Sequence, residues 1–244
     1  MPAPAAPLRL ALLGHGRMGR LVGALAPGAG HAVAATFTSG TPVTAGTLAG
    51  ADVAVDFSHA DAVVANARAC AEAGIPLVVG TTGWAERLGE VTRVVEAGGG
   101  ALVYGANFSV GVHVFYRTAA HAAALFARAG GYAPFLEERH HAAKRDAPSG
   151  TALELQRLVA DAYGELLPDA FPIAATRAGY IPGTHRVGFD GLPDTVVLEH
   201  VARSRDGFAH GALVAAAWIT GQARAGRTGV FRFEEVMDDV LGGG

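Results

Sequence analysis

The first hundred residues repeat one unit: a short apolar run, a glycine or small polar turn, then a stretch with helical spacing. Few folds accommodate that rhythm. The apolar runs are Leu8 to Leu13, Ala32 to Phe37, Val53 to Phe57, Leu77 to Gly80 and Ala101 to Tyr104. None alternates with polar residues, as expected of strands covered on both faces. Helical spacing occupies segments between them, such as Asp61 to Ala73 and Trp84 to Ala97. Right-handed crossovers then predict an α/β architecture with a doubly wound parallel sheet, whose loops at the strand C-termini form a ligand crevice.

After Asn107 the pattern changes. An Ala-rich helical stretch, Gly111 to Ala129, leads to strand-like runs around Pro134 to Glu138, His185 to Phe189 and Thr195 to Val201. The expected organisation is a first domain over 1–108, completed by a helical tail within 205–244, and a smaller α+β domain with a mixed sheet over 109–204.

Composition narrows the function classes. The chain has 244 residues, half of them hydrophobic, with 19 Lys plus Arg against 22 Asp plus Glu. A net charge of -3 without a basic block argues against a nucleic-acid partner. No apolar run reaches the roughly 20 residues that span a bilayer, so no membrane association is expected. The start, Met1 to Pro7, is rich in Pro and Ala, and Leu8 to Leu13 ends in a glycine loop rather than a signal-peptide cleavage site. The only cysteine, Cys70, lies in an Ala-rich helical pattern and reads as a buried thiol, with no intrachain disulfide available. A cytoplasmic setting is the expectation.

Gly14-His15-Gly16-Arg17-Met18-Gly19 follows the first strand and opens a helix, the context in which G-x-G-x-x-G binds a dinucleotide. Glycine permits the tight turn and close approach of a pyrophosphate, while the helix N-terminus offers N–H donors and partial positive charge. An acidic residue to hold the ribose hydroxyls of NAD is missing from the end of the second strand, which reads Phe37-Thr38-Ser39. Without a carboxylate there, Thr38, Ser39 and Arg17 can accept a 2'-phosphate, so the reading leans toward NADPH with NADH left open. Gly80-Thr81-Thr82-Gly83 and Gly105-Ala106-Asn107-Phe108 place small polar residues at two further strand ends. Both suit a cofactor crevice, although turn chemistry and helix capping alone would also explain them.

The segment from Glu138 to Thr151 packs His140, His141, Lys144 and Arg145 into a turn that ends Pro148-Ser149-Gly150-Thr151 before an apolar-periodic helix, Ala152 to Val159. Histidine can donate a proton near neutral pH, lysine supplies a fixed positive charge, and free N–H groups at the helix start suit a carboxylate. The bland alternative is a solvated turn with Ser149 as a plain N-cap. A metal is not expected, because consecutive histidines rarely point at one ion and no Cys or carboxylate completes a ligand spacing.

Glu-x-His-His-x-x-Lys-x-Asp-Ala-Pro-Ser-Gly-Thr-Ala at 138–152 resembles the signature of the 4-hydroxy-tetrahydrodipicolinate (dihydrodipicolinate) reductase family. The resemblance runs along nearly the whole chain, through Gly-Arg-Met-Gly-Arg at 16–20, Val-Asp-Phe-Ser at 55–58, Gly-Thr-Thr-Gly at 80–83 and Ala-Asn-Phe-Ser-Val-Gly-Val at 106–112. It continues through Gly183-Thr184-His185 and Ser204-Arg205 to Ala212.

The resemblance implies a Rossmann-like domain with a second domain for substrate and oligomerisation. It also implies NAD(P)H-dependent reduction of a cyclic dicarboxylate in the diaminopimelate route of lysine synthesis, and a homotetramer. The family's proton donor falls on His140, with Lys144 as its partner; His141, Gly150 and Thr151 fall on substrate-binding positions. Its cofactor contacts fall on Gly14 to Gly19, Phe37 to Ser39, Gly80 to Thr82 and Gly105 to Phe108. Many members carry one more residue in the first loop and an acidic residue followed by Arg near Phe37 and Thr38, so the departures here bear on cofactor choice. Two other readings stand beside this one. Another Rossmann-type amino-acid dehydrogenase shares only the first domain, and a semialdehyde dehydrogenase would need a catalytic cysteine where Cys70 is not. A non-catalytic dinucleotide-sensing protein would keep the fold and lose the chemistry.

Overall fold

The computed structural model describes residues 6–167 and 171–242; the proline- and alanine-rich start lies outside them through Ala5. The chain runs β1 (Arg9–Leu13), α1 (Arg17–Leu25), β2 (Ala32–Phe37), β3 (Val53–Asp56), α2 (Val63–Ala73), β4 (Leu77–Val79), α3 (Leu88–Ala97), β5 (Ala101–Tyr104) and α4 (Val110–Ala129). It continues β6 (Tyr132–His140), α5 (Gly150–Tyr163), β7 (Ile173–Arg177), β8 (Thr184–Gly191), β9 (Thr195–Val201), α6 (Asp206–Arg224), β10 (Gly229–Arg232) and α7 (Phe233–Leu241). Two compact units result, one holding Met1–Val110 and Asp206–Gly244, the other Gly111–Arg205.

The first unit is a six-stranded parallel sheet in the order β10-β5-β4-β3-β1-β2. Alternate side chains of a strand point to opposite faces, and here both faces are covered. Leu10, Leu12, Val55, Val78 and Val103 meet the small side chains of α6 and Phe233 on one face. Leu13, Ala54, Leu77, Val79 and Leu102 meet Val63, Ala67, Val91 and Val95 on the other. Double coverage is why these runs do not alternate in the sequence. Each fully buried Leu or Val contributes about 1.5–3 kcal/mol of transfer free energy. Gly211 lets the backbone of α6 approach closely: a Cβ there would fall 1.6 Å from the carbonyl oxygen of Phe108. Beyond α6 the tail adds β10 beside β5, a strand the helical reading missed, because four residues at a sheet edge carry no usable period. β2 and β3 flank β1 on opposite sides, so the chain reverses its winding there and the C-terminal ends of β1 and β3 open a crevice.

The second unit is a mixed four-stranded sheet in the order β7-β6-β8-β9, with only β6 and β7 parallel. Leu136, Val187 and Phe189 pack on Ala119 and Ala123 of α4 and on Leu155 and Val159 of α5. The opposite face carries ion pairs of Arg186 with Glu137 and Glu199, and of Arg139 with Glu199, at 3.1–3.8 Å. β7 was not read from the sequence; it is a largely exposed edge strand. Among the described residues no helix is long and apolar enough to cross a membrane.

Candidate active site

The crevice of the first unit is built by the glycine loop. Gly14 has φ +97°, and a Cβ there would lie 2.5 Å from the Phe57 carbonyl oxygen; a Cβ on Gly19 would lie 2.0 Å from that of Gly14. Those two glycines are demanded by helix and strand packing. Gly16 is different: a Cβ there meets no atom within 4 Å. Its bareness leaves open space over the N-terminus of α1, where a pyrophosphate fits against unpaired N–H groups. The loop therefore suits a dinucleotide on structural grounds independent of its motif.

A cleft of about 510 Å³ runs from Gly14–Gly16 to Phe37–Ser39 and the Phe57–His59 corner. A second, of about 360 Å³, lies between Arg17, Met18 and Gly80–Thr82, and a slot of about 170 Å³ separates Thr81–Trp84 from Tyr104–Ala106. The first two clefts adjoin through Phe57, Ser58 and His59: Arg17 lines one of them, and Thr38 and Ser39 line the other with His15. Phe37 is buried, and its carbonyl accepts the Gly14 N–H at 3.0 Å. The Phe108 ring is 2% exposed and packs against Phe57 and Phe233, so only its backbone is available to a ligand. Asn107 Oδ1 accepts the Ser109 N–H at 2.9 Å, closing the turn into α4.

In the second unit the strand register assembles the chemistry. Alternation along β6 puts Glu138 and His140 on the inner face, in line with buried Leu136. The antiparallel register sets His185 opposite Glu138 and His200 opposite His185; the parallel register sets Arg177 opposite His140. Glu138, with a wholly buried side chain, accepts hydrogen bonds from Arg177 Nη2 at 2.6 Å and Ser149 N at 3.0 Å through Oε1. Its Oε2 lies 3.2 Å from His140 Nδ1 and 3.7 Å from His185 Nε2, close contacts without hydrogen-bond alignment. Ser149 Oγ stands 3.1 Å from His185 Nε2 and accepts the Ala152 N–H, capping α5. The cap reading of Ser149 is correct but incomplete, and one N–H of the helix start is already occupied.

Electrostatics follow from burial. Desolvation alone would raise the Glu138 pKa, but the hydrogen bonds from Ser149 and Arg177 outweigh it and hold the carboxyl below its usual range. Burial lowers His140, opposed by Glu138 and reinforced by the Lys144 and Arg177 charges. Burial and the neighbouring His140 push His185 down to about 4. Lys144 Nζ bonds Asp146 at 2.8 Å, so the lysine is held by a carboxylate at the mouth of the turn. His141 sits just past the end of β6, its carbonyl accepting the Lys144 N–H at 3.1 Å, and Gly150 and Thr151 form the first turn of α5. Two cations and a helix N-terminus thus converge near a buried imidazole, an arrangement suited to an anionic substrate that needs a proton.

The sequence reading missed Arg177, because β7 itself was missed, and assigned no role to Glu138 or His185. Glu138, His140 and His185 bring one potential ligand atom each within 4.8 Å of one another, so the carboxylate absent from the sequence argument about metals is supplied by the fold. Arg177 at 2.6 Å from the same carboxylate opposes a cation there. Cys70 is buried in α2, and burial raises its thiol pKa, consistent with an inert side chain.

Two family models cover the chain: "Dihydrodipicolinate reductase, N-terminus" matches residues 8–108 and "Dihydrodipicolinate reductase, C-terminus" matches 111–237. The 4-hydroxy-tetrahydrodipicolinate reductase of Christiangramia forsetii is 33% identical over 244 residues, covering 96% of this chain and 99% of that protein. The enzyme of that name from Anaeromyxobacter dehalogenans is 38% identical over 215 residues, 80% of this chain and 74% of its own. Among solved structures, a dipicolinate-bound dihydrodipicolinate reductase from Paenisporosarcina sp. TG-14 shares the fold with a TM-score of 0.69 at 21% identity, covering 93% of this chain and 98% of that one. The chain therefore belongs to the dihydrodipicolinate reductase family of oxidoreductases.

Proposed function

We propose that this chain reduces 4-hydroxy-tetrahydrodipicolinate to tetrahydrodipicolinate, on the diaminopimelate route to lysine, with His140 as proton donor and Lys144 as its cationic partner. The observation that carries the reading is the buried Glu138–His140–Arg177 cluster next to Lys144 and the N-terminus of α5. Exchanging the C4 hydroxyl for hydride releases water and consumes one proton. The dinucleotide, when bound, supplies the hydride. His140 supplies the proton: burial keeps its imidazole neutral in the free protein, and two substrate carboxylates nearby raise its pKa and load it. His141, Gly150 and Thr151 bind the substrate carboxylates, helped by the dipole of α5. Gly14 to Gly19 and Gly80 to Thr82 hold the dinucleotide, with Gly105 and Ala106 lining its far end.

NADPH is the preferred form in this reading. The cleft at the end of β2 is lined by Thr38, Ser39, Thr41, His15 and His59 and by no carboxylate that would repel a 2'-phosphate. Assembly as a homotetramer through the second unit's sheet, in the cytoplasm, belongs to the same reading; Val196, Val197 and Val201 are exposed on edge strand β9 and give such a contact apolar surface. The deciding experiment follows oxidation of NADPH and, separately, NADH with substrate made freshly from pyruvate and aspartate semialdehyde by the preceding synthase. Substrate-dependent oxidation with the higher kcat/KM for NADPH is expected. Folded protein that binds dinucleotide but oxidises neither form overturns the reductase reading.

A further inference from the structure

Asp56 ends β3 with no exposed surface, and no cationic side chain among the described residues is paired with it. A carboxylate in that position is costly to bury unless donors replace water. Four hydrogen bonds do so: Oδ1 accepts from Ser58 N at 2.8 Å, Ser58 Oγ at 2.6 Å and Thr81 Oγ1 at 2.9 Å, while Oδ2 accepts from Asn66 Nδ2 at 2.8 Å. The Asp56 carbonyl also accepts the N–H groups of Gly80 and Thr81 at 2.9 and 3.2 Å. The donors come from the corner after β3, from α2 and from the loop after β4. A purely structural site between Val55 and Phe57 would be filled more cheaply by an apolar side chain.

What the four donors share is location. Ser58 and Asn66 line the cleft of Gly14–Gly16 and Phe37–Ser39, and Thr81 lines the cleft of Arg17 and Met18. The next residue, Phe57, donates its N–H to Leu13 at 2.9 Å, sets its carbonyl against Gly14 and covers Gly80 with its ring. One corner therefore joins the ends of β1, β3 and β4. With their single hydroxyl protons committed to Asp56, Ser58 and Thr81 present only acceptor lone pairs to the clefts, which suits ribose hydroxyl donors. We infer that Asp56 is a positioning residue that orients Ser58 and Thr81 and holds the ends of β3 and β4 in the geometry that receives the dinucleotide. This rests on the dinucleotide reading above.

The test is the Kd of NADPH, read by tryptophan fluorescence, since Trp84 Nε1 donates to the Thr81 carbonyl at 2.7 Å and reports on this loop. Asp56→Asn turns one acceptor oxygen into an amide donor facing other donors. It should weaken NADPH by at least about tenfold, the scale of a charge-assisted hydrogen bond, with the circular dichroism spectrum kept. The exchange Asp56→Asn with Asn66→Asp restores a carboxylate–amide pair and should recover most of the affinity. Folded Asp56→Asn with unchanged affinity overturns the inference, as does a loss that the exchange leaves uncorrected. If Asp56→Asn does not fold, Asn66→Ala removes one donor to Asp56 without touching a residue assigned to the dinucleotide: weaker NADPH binding supports the inference and unchanged binding overturns it. Wild-type protein that binds neither NADPH nor NADH overturns the dinucleotide reading and the inference with it.

Discussion

Arg177 Nη2 stands 2.6 Å from Glu138 Oε1 across two neighbouring strands, and this pair holds a fully buried carboxylate beside two imidazoles. Removing the guanidinium leaves that carboxylate without its compensating charge. Arg177→Met is expected to destabilise the protein by about 3 kcal/mol, measured as a lower urea midpoint at neutral pH. A change below about 0.5 kcal/mol, the scale of an exposed pair, would show that solvent already screens it.

Removing the acid should affect chemistry and spare the cofactor. His140→Gln is expected to lower kcat about 10²- to 10⁴-fold while leaving the NADPH Kd as in the wild type. Lys144→Ala should chiefly raise the KM for the dicarboxylate. Steady-state kinetics with a parallel binding titration separate the two, and unchanged turnover in His140→Gln would remove His140 from the reaction.

The glycine loop makes opposite predictions for two of its members. Gly16→Ala meets nothing in the protein, so its cost in stability should stay below about 1 kcal/mol, yet the added methyl occupies the space left for the pyrophosphate and NADPH binding should fall. Gly19→Ala drives a Cβ onto the Gly14 carbonyl and should lower both Tm and affinity. Calorimetry on the two variants checks this; equal losses of Tm would refute the distinction.

Stability should depend on pH through His185. Its folded pKa lies near 4, below the ordinary 6.5, so between these values the unfolded chain binds the proton first and stability rises with pH. Lowering the pH from 6.5 to 4 should therefore cost up to about 3 kcal/mol from this group. Glu138, whose folded pKa is depressed, adds its own loss as the pH falls through the usual carboxylate range toward its lower folded value. Denaturation midpoints across that window, in wild type and His185→Gln, measure the effect; identical slopes would assign it to other groups.

Much of this was readable in advance where the signal was local. β2, β5 and β9 coincide with their apolar runs, and the glycine loop opens α1 as its spacing implies. Short edge strands were not readable: β7 and β10 lack the burial that imposes a period, and losing β7 hid Arg177. The burial of the Phe108 ring was not readable either, because its motif neighbours are small and polar while the ring itself is part of the core.

The parallel architecture of the first unit and the residues of its glycine loop are written in local pattern, because burial on both faces and the φ demanded of Gly14 leave their mark one residue at a time. The sequence also singled out His140 and Lys144 as chemical groups. Their surroundings come from strand pairing. Glu138, Arg177 and His185 come from three strands, and their meeting depends on one parallel and one antiparallel register. Register is a property of paired strands, so this cluster exists only once β6, β7 and β8 lie side by side.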